Sequence, residues 1–130
     1  MLSMFLALAL SEPFVVRNDF GGEIGARAEQ IEALGDRPVE IRGLWCLSSC
    51  TMFLGAENVC VAPHVRFGFH APVGFWGKER EQYFKYYSEL IADHYPEPLR
   101  TWYLETGRYR TWPMIYFSGT ELIEMGVSQC

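Results

Sequence analysis

Cations are scarce in this chain: 11 Lys and Arg stand against 16 Asp and Glu, for a net charge of −5. They do not cluster, which argues against a nucleic-acid binder, because phosphate affinity comes mainly from grouped cations. No apolar run reaches the ~18–20 residues that cross a bilayer, so no transmembrane span is expected. The Cys46-x-x-x-Cys50 spacing has no second Cys pair or His pair at ligand distance, which argues against zinc, and no metal site is expected. No phosphate cradle or other cofactor signature is visible, and no internal repeat. What is present is ordinary globular composition, with 49% hydrophobic and 21% charged residues in 130 positions. That length predicts one domain, able to bury roughly two-thirds of its unfolded surface without a staple.

The first ten residues, Met1 to Leu10, are apolar except for Ser3 and stop at Ser11-Glu12-Pro13. They read as the apolar part of a secretory leader, with Ala7-Leu8-Ala9 as a small-x-small cleavage site, or as a buried first element. A basic residue in front is missing. Four cysteines (Cys46, Cys50, Cys60 and Cys130) suit an oxidising compartment and permit three connectivities; the alternative is four reduced, buried thiols in a cytoplasmic chain. Export, most simply to a periplasm, is the expectation.

Along the chain, strands alternate with helices, which predicts an α/β domain over residues 11–130. Phe14-Val15-Val16 reads as a strand, Asp19-Phe20-Gly21-Gly22 as a turn, and Glu23 to Leu34 as a helix with Ile24, Ala28, Ile31 and Leu34 on one stripe. Pro38 to Arg42 is a strand stopping at Gly43, Ser48 to Leu54 a short apolar helix closed by Gly55, and Val59 to Val61 a brief strand. Val65 to His70 alternates strictly, so Val65, Phe67 and Phe69 share one face and Arg66, Gly68 and His70 the other. Residues 75–112 form a helical, aromatic-rich segment: a helix over Glu79–His94 with Tyr83, Tyr87, Leu90 and His94 on its stripe, then one with Pro98 at its first position. Ser118-Gly119-Thr120-Glu121 is a capping box opening a last helix that ends at Gly126, followed by a terminal strand.

Three pieces carry chemistry in a fixed order: a Gly-Gly turn before a helix, a serine opening a second helix, and a histidine on the next strand. Helix N-termini offer unpaired N–H groups to a developing oxyanion, glycine allows close backbone approach, and a serine beside a histidine can be a nucleophile with its base. Each piece alone has a plainer meaning. Ser48 and Ser49 read as N-cap residues, His70 as structural and Gly21-Gly22 as a turn. His64 and His94 have no partner pattern.

Taken together, Asp19-Phe20-Gly21-Gly22, Cys46-Leu47-Ser48-Ser49-Cys50-Thr51, and Pro63 with Phe67-Gly68-Phe69-His70-Ala71-Pro72 resemble the core of the ClpP/crotonase superfamily. The likeness is greatest to bacterial, often exported, ClpP-like proteins with a C-x-S-x-C-T segment. It covers roughly residues 14–73 and 115–130. It implies a minimal ClpP/crotonase-like spiral of β-β-α units and a serine hydrolase, a peptidase, with Ser48 as nucleophile and His70 as general base. Gly21, Gly22 and the N–H of Ser49 would supply the oxyanion donors. It further implies a peptide or protein ligand, a homo-oligomer with the aromatic segment as interface, and no cofactor.

The sequence departs from the pattern in two ways that bear on chemistry. The turn reads Asp-Phe where the family has Ser-Pro, and Met114 stands about where the family's acid lies. The expectation is therefore that no Asp or Glu bonds the far nitrogen of His70, with a backbone carbonyl or a hydroxyl such as Tyr116 in its place. The alternative reading is a catalytically inactive ClpP-like binding module. A crotonase-type acyl-thioester binder ranks last, since nothing reads as its phosphate cradle. The resemblance also implies that the terminal strand runs beside the strand before Pro63, which brings Cys60 to Cys130; Cys46–Cys50 is the rival pair.

Overall fold

The longest strand organises the sheet. In a computed structural model, which describes residues 12–74 and 76–130, β2 (Val39–Leu47) runs parallel to β1 (Phe14–Asp19) on one side. On its other side its first half pairs with β3 (Val59–Val61) and its second half with β4 (Arg66–Phe69), both parallel. A fifth strand, β5 (Ile115–Ser118), closes the edge antiparallel to β4. Helices α1 (Ile24–Leu34), α2 (Arg80–Asp93), α3 (Leu99–Glu105) and α4 (Gly119–Glu124) complete a small single α/β domain on a mixed sheet. The leader expected in residues 1–10 lies outside the described residues.

Alternation sorts β4 as its sequence requires: Val65, Phe67 and Phe69 are wholly buried. Phe69 is the hub of the core, with the rings of Tyr95, Trp102 and Phe117 at 5.5, 5.4 and 5.7 Å. These edge-on contacts join the helical segment to the sheet. The capping box at Ser118 forms in both directions and starts α4. After it the chain returns to β3, where Val61 N–H donates to Ser128 O and Cys130 N–H donates to Val61 O. The terminal strand is thus reduced to a single parallel bridge, Val61 to Gln129.

Four local expectations need correction. Strand β2 does not stop at Gly43. Gly43 (φ +80°) and Asn18 (φ +50°) form a bulge, and Asn18 Oδ1 accepts from the N–H groups of Leu44 and Trp45, so pairing resumes beyond it. The segment Ser48–Gly55 is a 3-10 helix rather than an α-helix. Thr51 Oγ1 donates to Ser48 O at 2.6 Å, competing for the acceptor an α-helix would offer residue 52. Gly55 is its last residue, as expected, and a Cβ there would collide with the His94 backbone at the end of α2. Helix α2 turns a different stripe inward, one residue on from Tyr83, Tyr87, Leu90 and His94: Phe84, Ser88, Ile91 and Tyr95, with Ser88 and Ala92 fully buried. The two stripes are equally periodic, and the small residues win because they let the helix approach closely. Pro98 precedes α3 as its N-cap instead of occupying its first turn. Tyr83, Tyr86 and Trp76 are exposed, so the lid over the sheet is built from Tyr95, Leu99, Trp102 and Tyr103.

Candidate active site

The site forms where β2 ends. Leu47 is the last extended residue, and Ser48 follows with φ +57°, a left-handed conformation that costs a non-glycine residue about 1–2 kcal/mol. Ser48 is therefore not an N-cap: Leu47 holds that position, and no side chain caps the 3-10 helix. The bend instead turns the hydroxyl outward from the strand end, where Ser48 Oγ lies 2.9 Å from His70 Nε2. His70 comes from the residue just past β4, which pairs with β2 in register Leu47 to Gly68. Neighbouring parallel strands thus deliver hydroxyl and imidazole to the same edge of the sheet.

The disulfide Cys46–Cys50 spans this bend, with Cα atoms 5.2 Å apart and both residues wholly buried. A second bridge, Cys60–Cys130, joins β3 to the returning chain end at a Cα separation of 4.8 Å. The two pairs treated as rivals in the sequence coexist, and no cysteine is free.

The Gly-Gly turn lies directly against Ser48. At Gly21 (φ +106°) an added Cβ would fall 2.8 Å from Ser48 Cβ and 3.2 Å from Ser48 Oγ, so only glycine fits. The turn is held by a residue the sequence reading passed over. Arg27 places Nη2 at 2.9 Å from both oxygens of Asp19, and its Nε is 3.5 Å from Ser49 Oγ. Its guanidinium lies 4.7 Å from the centre of the Phe53 ring. Asp19 Oδ1 also accepts from Gly21 N–H at 2.9 Å. The signal was available: positions 24, 27 and 31 are spaced three and four apart, which puts a charge on an apolar stripe and calls for a partner. Asp19 occupies the Gly21 N–H, whereas the Gly22 N–H has no hydrogen-bond partner among the described residues.

Burial holds the His70 imidazole below its usual value, while a backbone hydrogen bond at Ala71 works the other way. The ring is thus neutral at pH 7, the form that accepts a proton. Among the described residues, no carboxylate hydrogen-bonds it. Met114 and Tyr116 lie against Gly68, where an added Cβ would meet Met114 Sδ at 2.8 Å and Tyr116 Cε1 at 3.2 Å. Tyr116 does not take the place of an acid; its ring carries the Arg66 guanidinium at 5.0 Å and meets Trp45 edge-on. The imidazole is steadied by its hydrogen bond to the Ala71 backbone, the kind of group expected in place of an acid, and the main chain by Tyr103 O–H, which donates to His70 O at 3.0 Å. Burial raises the Tyr103 phenol, which keeps it a donor throughout the neutral range.

Around the pair, Ile24, Ser49, Ala71, Pro72, Ile91 and Tyr95 leave a recess of about 20 Å³. His64 is exposed, and His94 Nδ1 pairs with Leu90 O at the end of α2, so neither joins the site. No group of metal-ligating side chains occurs among the described residues. No helix there is long and apolar enough to cross a membrane. No protein-family model matches the chain, and no curated protein matches it.

Proposed function

We propose that the protein is a ClpP-like serine hydrolase, acting on peptides, with Ser48 as nucleophile and His70 as general base. The observation that carries this reading is the left-handed Ser48, whose hydroxyl sits 2.9 Å from His70 Nε2 with the Gly21 backbone packed against it. A strained serine at a strand-to-helix bend is the geometry that exposes a nucleophile, and strain of this kind gathers at functional sites. In the reaction His70 Nε2 takes the Ser48 proton as Oγ bonds to the scissile carbonyl carbon. The oxyanion is received by the N–H groups of Gly22 and Ser49. His70 then returns the proton to the leaving amine, and water, activated by the same imidazole, releases the acyl group from Ser48.

The ClpP/crotonase-like spiral belongs to the same proposal. The parallel strands at β2, the order of turn, serine and histidine, and the antiparallel β5 leading into α4 agree with it. So does an exported, periplasmic location, which two disulfides favour because reduced thiols prevail in the cytosol. Self-assembly through the exposed aromatics Trp76, Tyr86, Tyr109 and Trp112 is part of the reading as well.

One observation favours the second reading, an inactive binding module: the missing carboxylate on His70. In a triad, removing that group costs about four orders of magnitude in turnover. A fluorophosphonate probe decides between the two. The hydrolase reading expects covalent labelling of the native chain at Ser48, lost in Ser48→Ala and weakened in His70→Gln. Absence of labelling on folded protein overturns it in favour of the module.

A further inference from the structure

A second cavity opens on the far side of Ala71 and Pro72, the two residues that also wall the recess at Ser48 and His70. Its volume is about 370 Å³, within the range of small-ligand pockets. Trp76, Phe84 and Tyr109 give it an aromatic lining, and Arg80 and Arg108 give it charge; no carboxylate lines it. In a chain with net charge −5 this is a local reversal of sign.

Arg27, Arg42, Lys85 and Arg100 each pair with a carboxylate, whereas neither Arg80 nor Arg108 does so among the described residues. Arg108 is held just after Gly107, which is itself fixed because a Cβ there would strike the Tyr103 and Trp102 rings. The Arg108 guanidinium lies 5.0 Å from the Tyr109 ring centre and 6.0 Å from that of Phe84. Stacking of this sort uses the faces of the group and leaves its N–H edge for an in-plane acceptor. Its Nε is nonetheless buried with no hydrogen-bond partner among the described residues. A buried, charged donor without an acceptor is costly, which leaves Arg108 short of the hydrogen bonds a guanidinium can make.

We infer that this cavity binds a peptide carboxylate, either an acidic side chain or a free C-terminal group, beside apolar or aromatic neighbours. The inference rests on the Ser48 and His70 reading for its place next to the scissile bond, but binding itself needs no catalysis. It names the substrate class: peptides carrying a carboxylate near the bond that Ser48 would attack.

The test is calorimetric titration of the Ser48→Ala chain, which binds without turning over, with three acetylated tripeptides. One has a central glutamate and an amidated end, one a central glutamine and an amidated end, and one a central glutamine and a free C-terminal carboxylate. At least one carboxylate peptide should bind about tenfold more tightly than the neutral peptide, the scale of one charge-assisted hydrogen bond. Whichever of the two does so identifies the source. Arg108→Gln should abolish the preference, and Arg80→Gln, an exposed position, should reduce it with an unchanged melting temperature. Equal binding of all three peptides, or a preference that survives both substitutions, overturns the inference. Ser48 labelling without carboxylate preference removes this inference alone; carboxylate preference without Ser48 labelling removes the hydrolase reading and leaves the pocket.

Discussion

Cys46–Cys50 joins residues four apart, and Cys60–Cys130 joins residues 70 apart. Both start from neighbouring strands, β2 and β3, yet they constrain different things. The short bridge restrains a chain that is already local, so its effect on the unfolded ensemble is small, about 2 kcal/mol in the chain-entropy model. Its position is what matters, because it straddles the left-handed Ser48. The long bridge carries no site residue and removes far more freedom from the unfolded chain. The difference separates two properties that usually move together. One bridge braces the bend at Ser48, and the other sets how firmly the domain is folded.

The largest expected effect is on the long bridge. Replacing Cys60 and Cys130 by alanine should cost about 4 kcal/mol and lower the melting temperature by roughly 15 °C. Below the transition, the rate of Ser48 labelling should stay close to native. A melting temperature within a few degrees of native would erase the contrast between the bridges. Replacing Cys46 and Cys50 should do the reverse, slowing labelling about a hundredfold, since a displacement near 1 Å at a reacting centre has that scale. Its stability cost is the smaller ~2 kcal/mol, read by denaturant titration. Native labelling in this double variant would show that Ser48 keeps its bend unaided.

The smallest effect sharpens the comparison through pH. Burial depresses the His70 pKa, and the base must be neutral, so labelling should rise with pH to a plateau, with its midpoint below the ordinary ~6.5. The sign for stability follows from the same shift. Below about pH 6.5 the unfolded chain binds a proton the native site resists, so stability falls as pH drops through that window towards the native pKa. If the short bridge shapes the site, its loss opens His70 to water and moves the midpoint back up. Loss of the long bridge leaves it in place. Identical midpoints in the two double variants would break the distinction.

The sequence made the N-terminal half and the last 15 residues readable because each element there carries its own local signal. The strict alternation of Val65 to Phe69, the apolar stripe of α1 and the Ser118–Glu121 capping box need only neighbours at fixed spacing. The continuation of β2 past Gly43 was hidden, since it depends on Asn18 from another strand supplying the acceptor for Leu44 and Trp45. The stripe of α2 was hidden for a different reason. Two stripes one residue apart fit the same periodicity, and only packing against the Ser48–Gly55 segment chooses between them. At the site, the order of turn, serine and histidine was legible, but the Asp19–Arg27 ion pair that holds the turn was not, because it joins a strand end to a helix face. Arg108 gave no sign in sequence, because an unpaired guanidinium is a fact about surroundings drawn from three separate segments.

Ser48 precedes Cys60, whereas His70 and the arginine-lined cavity lie between Cys60 and Cys130. A protease cutting once anywhere from residue 61 to 129 therefore cannot release a fragment while the Cys60–Cys130 bond stands. The exposed stretch around Gly77 and Lys78 is the natural place for such a nick. The severed chain would still hold the piece that carries Arg80 and Arg108 covalently tied to the piece that carries Ser48 and His70. On a gel it would run as one band, parting into two only after reduction. Wherever proteases are present, the bond is a form of damage tolerance.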